Sequence, residues 1–179
     1  IFCVSIVIHD RINEGEEAAA EAAVRGEVLP QFEVPSKALM QVVADSGTRP
    51  SEDAIFHTIK TIYSIAEFSP ECLVMSLLFV ERLRTITSIP LLMSNWQPIL
   101  LASMVIAQKV WDDQSLLNID FSVICKAYTL QEINHLEKKF LELIEYNVSI
   151  NSSLYASYYF ELRTLCEKAE RDFTLKPLS

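Results

Sequence analysis

The sequence predicts an all-α fold: one domain of five consecutive helices, with flanking helices on both sides. Apolar residues recur at helical spacing through most of the chain, and no stretch alternates apolar and polar residues as a half-buried strand does. All three glycines, Gly15, Gly26 and Gly47, lie before Ser51. The remaining sequence therefore lacks the Gly-rich loops that bind phosphates or dinucleotides.

The N-terminal region, residues 1–50, has the weakest pattern. A short first helix is predicted over residues 1–13 by the helical spacing of Val4, Val7, Ile8 and Ile12. The segment from Glu14 to Gly26 is rich in Ala and Glu and has almost no large apolar side chain. We expect that segment to be a solvated helix or disordered.

Residues 51–148 are predicted to hold the five-helix domain. The residues predicted to open its helices are, in chain order, Ser51, Ser69, Ser94, Asp120 and Thr129. Pro70 follows Ser69 at the first helical position, and Thr129 with Glu132 forms a capping box. A last helix, in the C-terminal region 149–179, is predicted to start near Asn151 or Ser152.

The third of these helices, within Ser94–Gln114, is predicted to lie at the centre. Its residues from Ile99 to Ala107 include only Ser103 as a polar member, and a helix that is apolar on every face has to be surrounded by others. Lys109 follows in the last turn. A cation there either complements the helix dipole or presents its N–H donors to carbonyl groups of a neighbouring chain.

Composition excludes several classes of function. Lys plus Arg number 15 and Asp plus Glu number 24, so the net charge is −9, and no cluster of cations suggests nucleic-acid binding. No apolar run is long enough for a transmembrane helix. The four cysteines, Cys3, Cys72, Cys125 and Cys166, occur singly, and we interpret them as reduced core thiols rather than zinc ligands.

These features favour an intracellular protein, cytoplasmic or nuclear. The chain starts with Ile1 and not with Met, so we expect a fragment of a longer protein. A membrane anchor attached through a missing N-terminus stays open.

No catalytic constellation is evident, and we expect neither a cofactor nor a metal. His9-Asp10 resembles the metal pair of helical phosphohydrolases, but further ligands of that kind are missing. Asp112-Asp113 resembles half of an aspartate-rich magnesium motif and lacks the third acid. Both observations favour a binding module over an enzyme.

Two segments resemble a known family. Residues 99–113 and 128–148 are similar to the third and fifth helices of a cyclin box, the five-helix domain with which cyclins activate their kinases. The family pattern has a Lys near the end of the buried helix and a Glu two turns into the fifth, places filled here by Lys109 and Glu137. Residues 107–114, 140–147 and 153–163 are most similar to the cyclin Y group and, more distantly, to yeast-type cyclins of nutrient-sensing kinases.

The resemblance implies a regulatory subunit that is not itself an enzyme. Its implied partner is a cyclin-dependent kinase of the PCTAIRE or PFTAIRE type, whose regulatory helix carries the glutamate that pairs with the catalytic lysine. Lys109 and Glu137 would form a polar pair against that helix. The apolar contacts implied are Val110, Leu141, Tyr146 and Val148.

Departures from the family pattern limit what the resemblance implies. The stretch Ala54–Lys60 lacks the Met-Arg-Ala-Ile-Leu run that gives cell-cycle cyclins their substrate-docking groove, so we do not expect recruitment of RxL-type substrates. Glu81-Arg82 stands where the family has Asp-Arg. Two other classes stay open: a cyclin-like helical adaptor of the transcription type and a metal-dependent helical hydrolase.

Overall fold

A computed structural model describes residues 1–35 and 49–174. Within these ranges the chain forms seven helices and no strand, which confirms the predicted all-α class. The helices are α1 (Phe2–Arg25), α2 (Glu52–Ala66), α3 (Pro70–Thr87), α4 (Trp96–Trp111), α5 (Asn118–Ile124), α6 (Leu130–Leu143) and α7 (Ser152–Thr174).

Helix α4 is the centre of the fold, as its apolar sequence predicted. Every residue from Pro98 to Gln108 is buried, and α3 and α6 pack against the helix. The polar side chains on it are satisfied locally. The Ser103 hydroxyl donates to the carbonyl of Leu100 at 2.7 Å, and the Gln108 amide donates to the carbonyl of Leu116 at 3.1 Å while accepting from its N–H at 2.8 Å. Gln108 thereby holds the loop that follows α4.

Two helix starts have the predicted caps. The Ser51 hydroxyl accepts a hydrogen bond from the backbone N–H of Ala54 at 3.2 Å. The Thr129 hydroxyl accepts from the N–H of Glu132 at 3.2 Å, and the Glu132 carboxylate accepts from the N–H of Thr129 at 2.7 Å, so the capping box is confirmed.

Two other helix starts differ from the prediction. Helix α4 begins after Asn95 rather than Ser94, and the Asn95 side chain bonds backward, accepting from the N–H of Leu92 at 2.7 Å. Helix α5 begins two residues before Asp120. The Asp120 carboxylate accepts from the N–H of Leu117 at 2.8 Å, so it caps from the third helical position.

Of the two alternatives predicted for Glu14–Gly26, the helix is the one observed, and most of its residues there are exposed. One helix, α1, runs through both predicted segments and packs against α2, α3 and α7. Gly15 lies against the backbone of Leu91, and the Glu16 carboxylate accepts from the N–H of Met93 at 2.8 Å. The solvated helix is therefore also attached, at Gly15 and Glu16, to the loop before α4.

The interpretation of four reduced thiols is wrong for one pair. Cys3 in α1 and Cys166 in α7 form a disulfide with their Cα atoms 5.6 Å apart, while Cys72 and Cys125 are free thiols. The two cysteines are separated by 163 positions in sequence, so their spacing carried no sign of the pairing. Among the helices described, none is both long and apolar enough to cross a membrane.

Candidate functional site

The last turn of α4 and the middle of α6 place Lys109 and Glu137 side by side. The Lys109 ammonium donates to Oε1 of Glu137 at 2.6 Å. Lys109 lies just beyond the buried part of α4, where the helix reaches the surface, and its side chain is 33% exposed against 18% for Glu137. An ion pair with this exposure is accessible to a partner but partly shielded from water, which strengthens it relative to a fully solvated pair.

A third side chain completes what we call the polar cluster: Lys109, Glu137 and Asn118. Asn118, the first residue of α5, accepts from the Lys109 ammonium at 2.7 Å and donates to Oε2 of Glu137 at 2.6 Å. Asn118 also donates to Oδ1 of Asn134 at 2.7 Å. The sequence did not point to Asn118, because an Asn near a helix start is common and the helix was predicted to open only at Asp120.

The polar cluster leaves one donor of Lys109 for a partner. A lysine ammonium has three N–H donors and no acceptor. Within the described residues its acceptors are Oε1 of Glu137 and Oδ1 of Asn118. The arrangement can therefore offer a partner carbonyl one charge-assisted hydrogen bond from a lysine that is already oriented.

The four apolar residues implied by the resemblance divide into two kinds. Val110 and Tyr146 are 44% and 61% exposed. Leu141 and Val148 are half-buried and pack partly against the hydrophobic core. The first pair is available to a partner without rearrangement, whereas the second pair also contributes to the fold.

Tyr146 lies in an unusual turn after α6. Glu145 and Tyr146 both have a φ of 56°, in the left-handed region that non-glycine residues rarely adopt. The turn is closed by hydrogen bonds from the N–H of Tyr146 to the carbonyl of Leu141 at 2.8 Å and from the N–H of Val148 to the carbonyl of Tyr146 at 3.0 Å. Backbone strain of this kind is often found at functional positions.

Asp112 has a structural role in place of the suggested magnesium motif. Its carboxylate accepts from the backbone N–H of Ser69 at 3.2 Å and from the Ser69 hydroxyl. The thiol of Cys72 lies 3.5 Å from the same carboxylate. Burial, reinforced by this negative charge, raises the pKa of the Cys72 thiol to about 12.

His9 does not belong to a metal centre in the described structure. Its Nδ1 atom lies 3.7 Å from carboxylate oxygens of both Asp10 and Glu52. Across residues 1–35 and 49–174, no three His, Cys, Asp or Glu side chains come close enough together to hold a metal ion.

Helices packed around one buried helix, with a polar cluster where that helix reaches the surface, form the fold of a cyclin box. The family model described as the N-terminal domain of cyclin matches residues 33–149. The chain therefore belongs to the cyclin family, whose members are regulatory proteins and not enzymes themselves. A kinase is the general partner of this family.

Proposed function

We propose that this protein is a cyclin of the cyclin Y type that binds and activates a cyclin-dependent kinase of the PCTAIRE or PFTAIRE type. The binding unit is the cyclin box at residues 51–148, flanked by α1 and α7. The observation that carries the proposal is the polar cluster at the surface end of α4, in a chain of the cyclin family.

The proposed mechanism is the stabilisation of one kinase conformation. Lys109 caps carbonyl groups of the kinase regulatory helix, while Glu137 orients the ammonium and offsets its charge. Val110 and Tyr146 cover apolar side chains of the same helix, supported by Leu141 and Val148. Because these contacts exist only with the helix in its inward position, binding shifts the kinase toward its active arrangement.

The test is a binding and activity assay with purified kinases. A panel of PCTAIRE and PFTAIRE kinases, with a cell-cycle kinase for comparison, is titrated with the wild type, Lys109→Ala and Glu137→Ala. We expect each substitution to weaken binding by about 2 kcal/mol, since an oriented charge pair loses one member. Kinase activation at a fixed cyclin concentration falls in parallel.

Two residues on α6 provide matched controls. Lys138 and Glu142 are exposed on the same helix and form no ion pair among the described residues. Lys138→Ala and Glu142→Ala make the same changes of charge and should leave affinity unchanged. Equal affinity for the wild type, Lys109→Ala and Glu137→Ala would contradict the proposed site.

The apolar contacts can be tested separately from folding. Val110→Ala and Tyr146→Ala should weaken kinase binding and leave the free energy of unfolding almost unchanged, because both side chains are largely exposed. Leu141→Ala and Val148→Ala should lower both quantities. Unaltered binding in Val110→Ala and Tyr146→Ala would remove these residues from the proposed interface.

A further inference from the structure

We propose that Asn118 is the positioning residue of the kinase anchor: it holds Lys109 and Glu137 in the geometry in which the lysine can cap a partner helix. This inference rests on the proposed kinase-binding function and adds a residue from a third helix to it. The cluster joins α4, α5 and α6 in a triangle of hydrogen bonds, and Asn118 is the member that accepts from one partner and donates to the other.

The chemistry of the three groups explains why an amide suits this place. Lysine can only donate and a carboxylate can only accept, so a side chain that bridges both needs one acceptor and one donor. The Asn118 amide has both, with its oxygen toward Lys109 and its nitrogen toward Glu137. A carboxylate at position 118 would accept from Lys109 but would repel Glu137.

The Asn118 side chain does not cap the helix that Asn118 begins. An Asn at a helix start usually caps a backbone N–H through its side chain. Here the Asp120 carboxylate accepts from the N–H of Leu117 at 2.8 Å. Within the part of the chain that the structure describes, the Asn118 side chain bonds to side chains outside α5, at Lys109, Asn134 and Glu137.

The hydrogen bonds of Glu137 show what Asn118 adds. Oε1 of Glu137 accepts from Lys109 and Oε2 accepts from Asn118, so the carboxylate is held at both ends. Removing the amide frees one oxygen and takes away one of the two acceptors of Lys109. The lysine then samples more rotamers, and ordering it on binding costs conformational entropy.

The experiment compares Asn118→Ala with one control and one further variant of the network in the kinase-binding assay. We expect about tenfold weaker binding for Asn118→Ala, which loses hydrogen bonds to two charged groups. Ser122→Ala is the matched control on α5, because among the described residues the Ser122 hydroxyl bonds only to the carbonyl of Ile119 in its own helix. Asn134→Ala removes the outer partner of Asn118 and should have an intermediate effect.

A swap of amide and carboxylate distinguishes positioning from a general loss of structure. Asn118→Asp alone places two carboxylates together and should weaken binding more than Asn118→Ala. Combined with Glu137→Gln, it restores one amide and one carboxylate around Lys109, and affinity should recover to within about threefold of the wild type. A merely structural role predicts that affinity falls and recovers together with the free energy of unfolding, whereas positioning predicts changes in affinity at nearly constant stability.

A readout without kinase separates this inference from the proposed function. Hydrogen exchange of the Lys109 ammonium, followed by NMR in the unbound protein, should accelerate in Asn118→Ala and not in Ser122→Ala. If the wild type binds no kinase, the proposed function fails, while faster exchange still supports positioning. Unchanged exchange, or kinase binding lost in Lys109→Ala and retained in Asn118→Ala, would overturn the role of Asn118.

Discussion

Asp112, which follows α4, holds the residue that precedes α3: its carboxylate accepts from the backbone N–H of Ser69 at 3.2 Å and from the Ser69 hydroxyl. Ser69 precedes α3, and Asp112 directly follows α4. A carboxylate in this place satisfies a backbone donor at the helix start and complements the helix dipole. The start of α3 is thus tied to the end of α4 that carries Lys109.

Replacing Asp112 should destabilise the fold. We expect Asp112→Ala to lower the free energy of unfolding by about 1 to 2 kcal/mol, since two hydrogen bonds to a charged acceptor are lost. Urea denaturation measures it. Asp113→Ala is the control, because Asp113 is exposed and forms no hydrogen bond among the described residues. Equal stability of the two variants would contradict this role of Asp112.

The free thiols should make stability depend on alkaline pH. The pKa of Cys72 is raised from 9.0 to about 12, by burial and then by Asp112, and burial raises that of Cys125 to about 11. The stabilisation that these protonated thiols provide is fully present below their pKa in the unfolded chain. It is lost as the pH rises toward their pKa in the folded protein, because in that range only the unfolded chain releases the protons.

The Cys72→Ala variant isolates the contribution of the Cys72 thiol to this pH dependence. In a Cys3→Ser, Cys166→Ser background, which prevents thiol exchange, the free energy of unfolding is measured between about pH 8 and 10. The free energy of unfolding should fall less steeply with pH in Cys72→Ala, by up to about 1.4 kcal/mol per pH unit. Identical slopes with and without Cys72 would show that this thiol does not titrate differently on folding.

Gly15 should not tolerate a side chain. In an exposed helix Gly→Ala stabilises by about 1 kcal/mol. A Cβ on Gly15, however, would overlap the carbonyl oxygen of Leu91 and lie 2.9 Å from its carbonyl carbon. We therefore expect Gly15→Ala to lower the melting temperature. Ala18→Gly, at an exposed position of α1, sets the scale of the propensity effect, and a stabilising Gly15→Ala would rule out the close contact.

The Cys3–Cys166 disulfide should make stability sensitive to reductant. A crosslink across 163 positions restricts the unfolded chain, and we expect its loss to cost about 2 to 4 kcal/mol. The measurement is urea denaturation with and without reductant. Cys3→Ser should have the stability of the reduced wild type and no longer respond to reductant. If reductant left the free energy of unfolding of the wild type unchanged, the pairing of Cys3 with Cys166 would be contradicted.

Features that depend on neighbouring residues could be predicted from the sequence. The Ser51 cap and the Thr129–Glu132 capping box act within one helical turn, so their residues lie together in the sequence. The buried α4 was predicted because its own side chains are apolar on every face. The family pattern drew attention to Lys109 and Glu137, but their partner-binding role stays a proposal.

Contacts between distant residues could not be predicted in this way. Ser69 and Asp112 are 43 positions apart, and the sequence predicted only the local role of Ser69 at the start of a helix. Residues 14–26 lack large apolar side chains, yet Gly15 packs closely because a missing side chain lets two backbones meet. The spacing of apolar residues predicts which face of a helix is buried. It does not predict how closely the backbone of another segment approaches that helix.

The burial of α4 has a consequence for synthesis of the chain. The ribosome releases α4 before α6, the helix that covers one of its sides. A nascent chain that contains α4 but not yet α6 would expose the apolar side chains of α4 that α6 later covers. Chaperones bind apolar surfaces of this kind, and such surfaces promote aggregation. We expect translation through α6 to be the step at which the growing polypeptide becomes independent of such assistance.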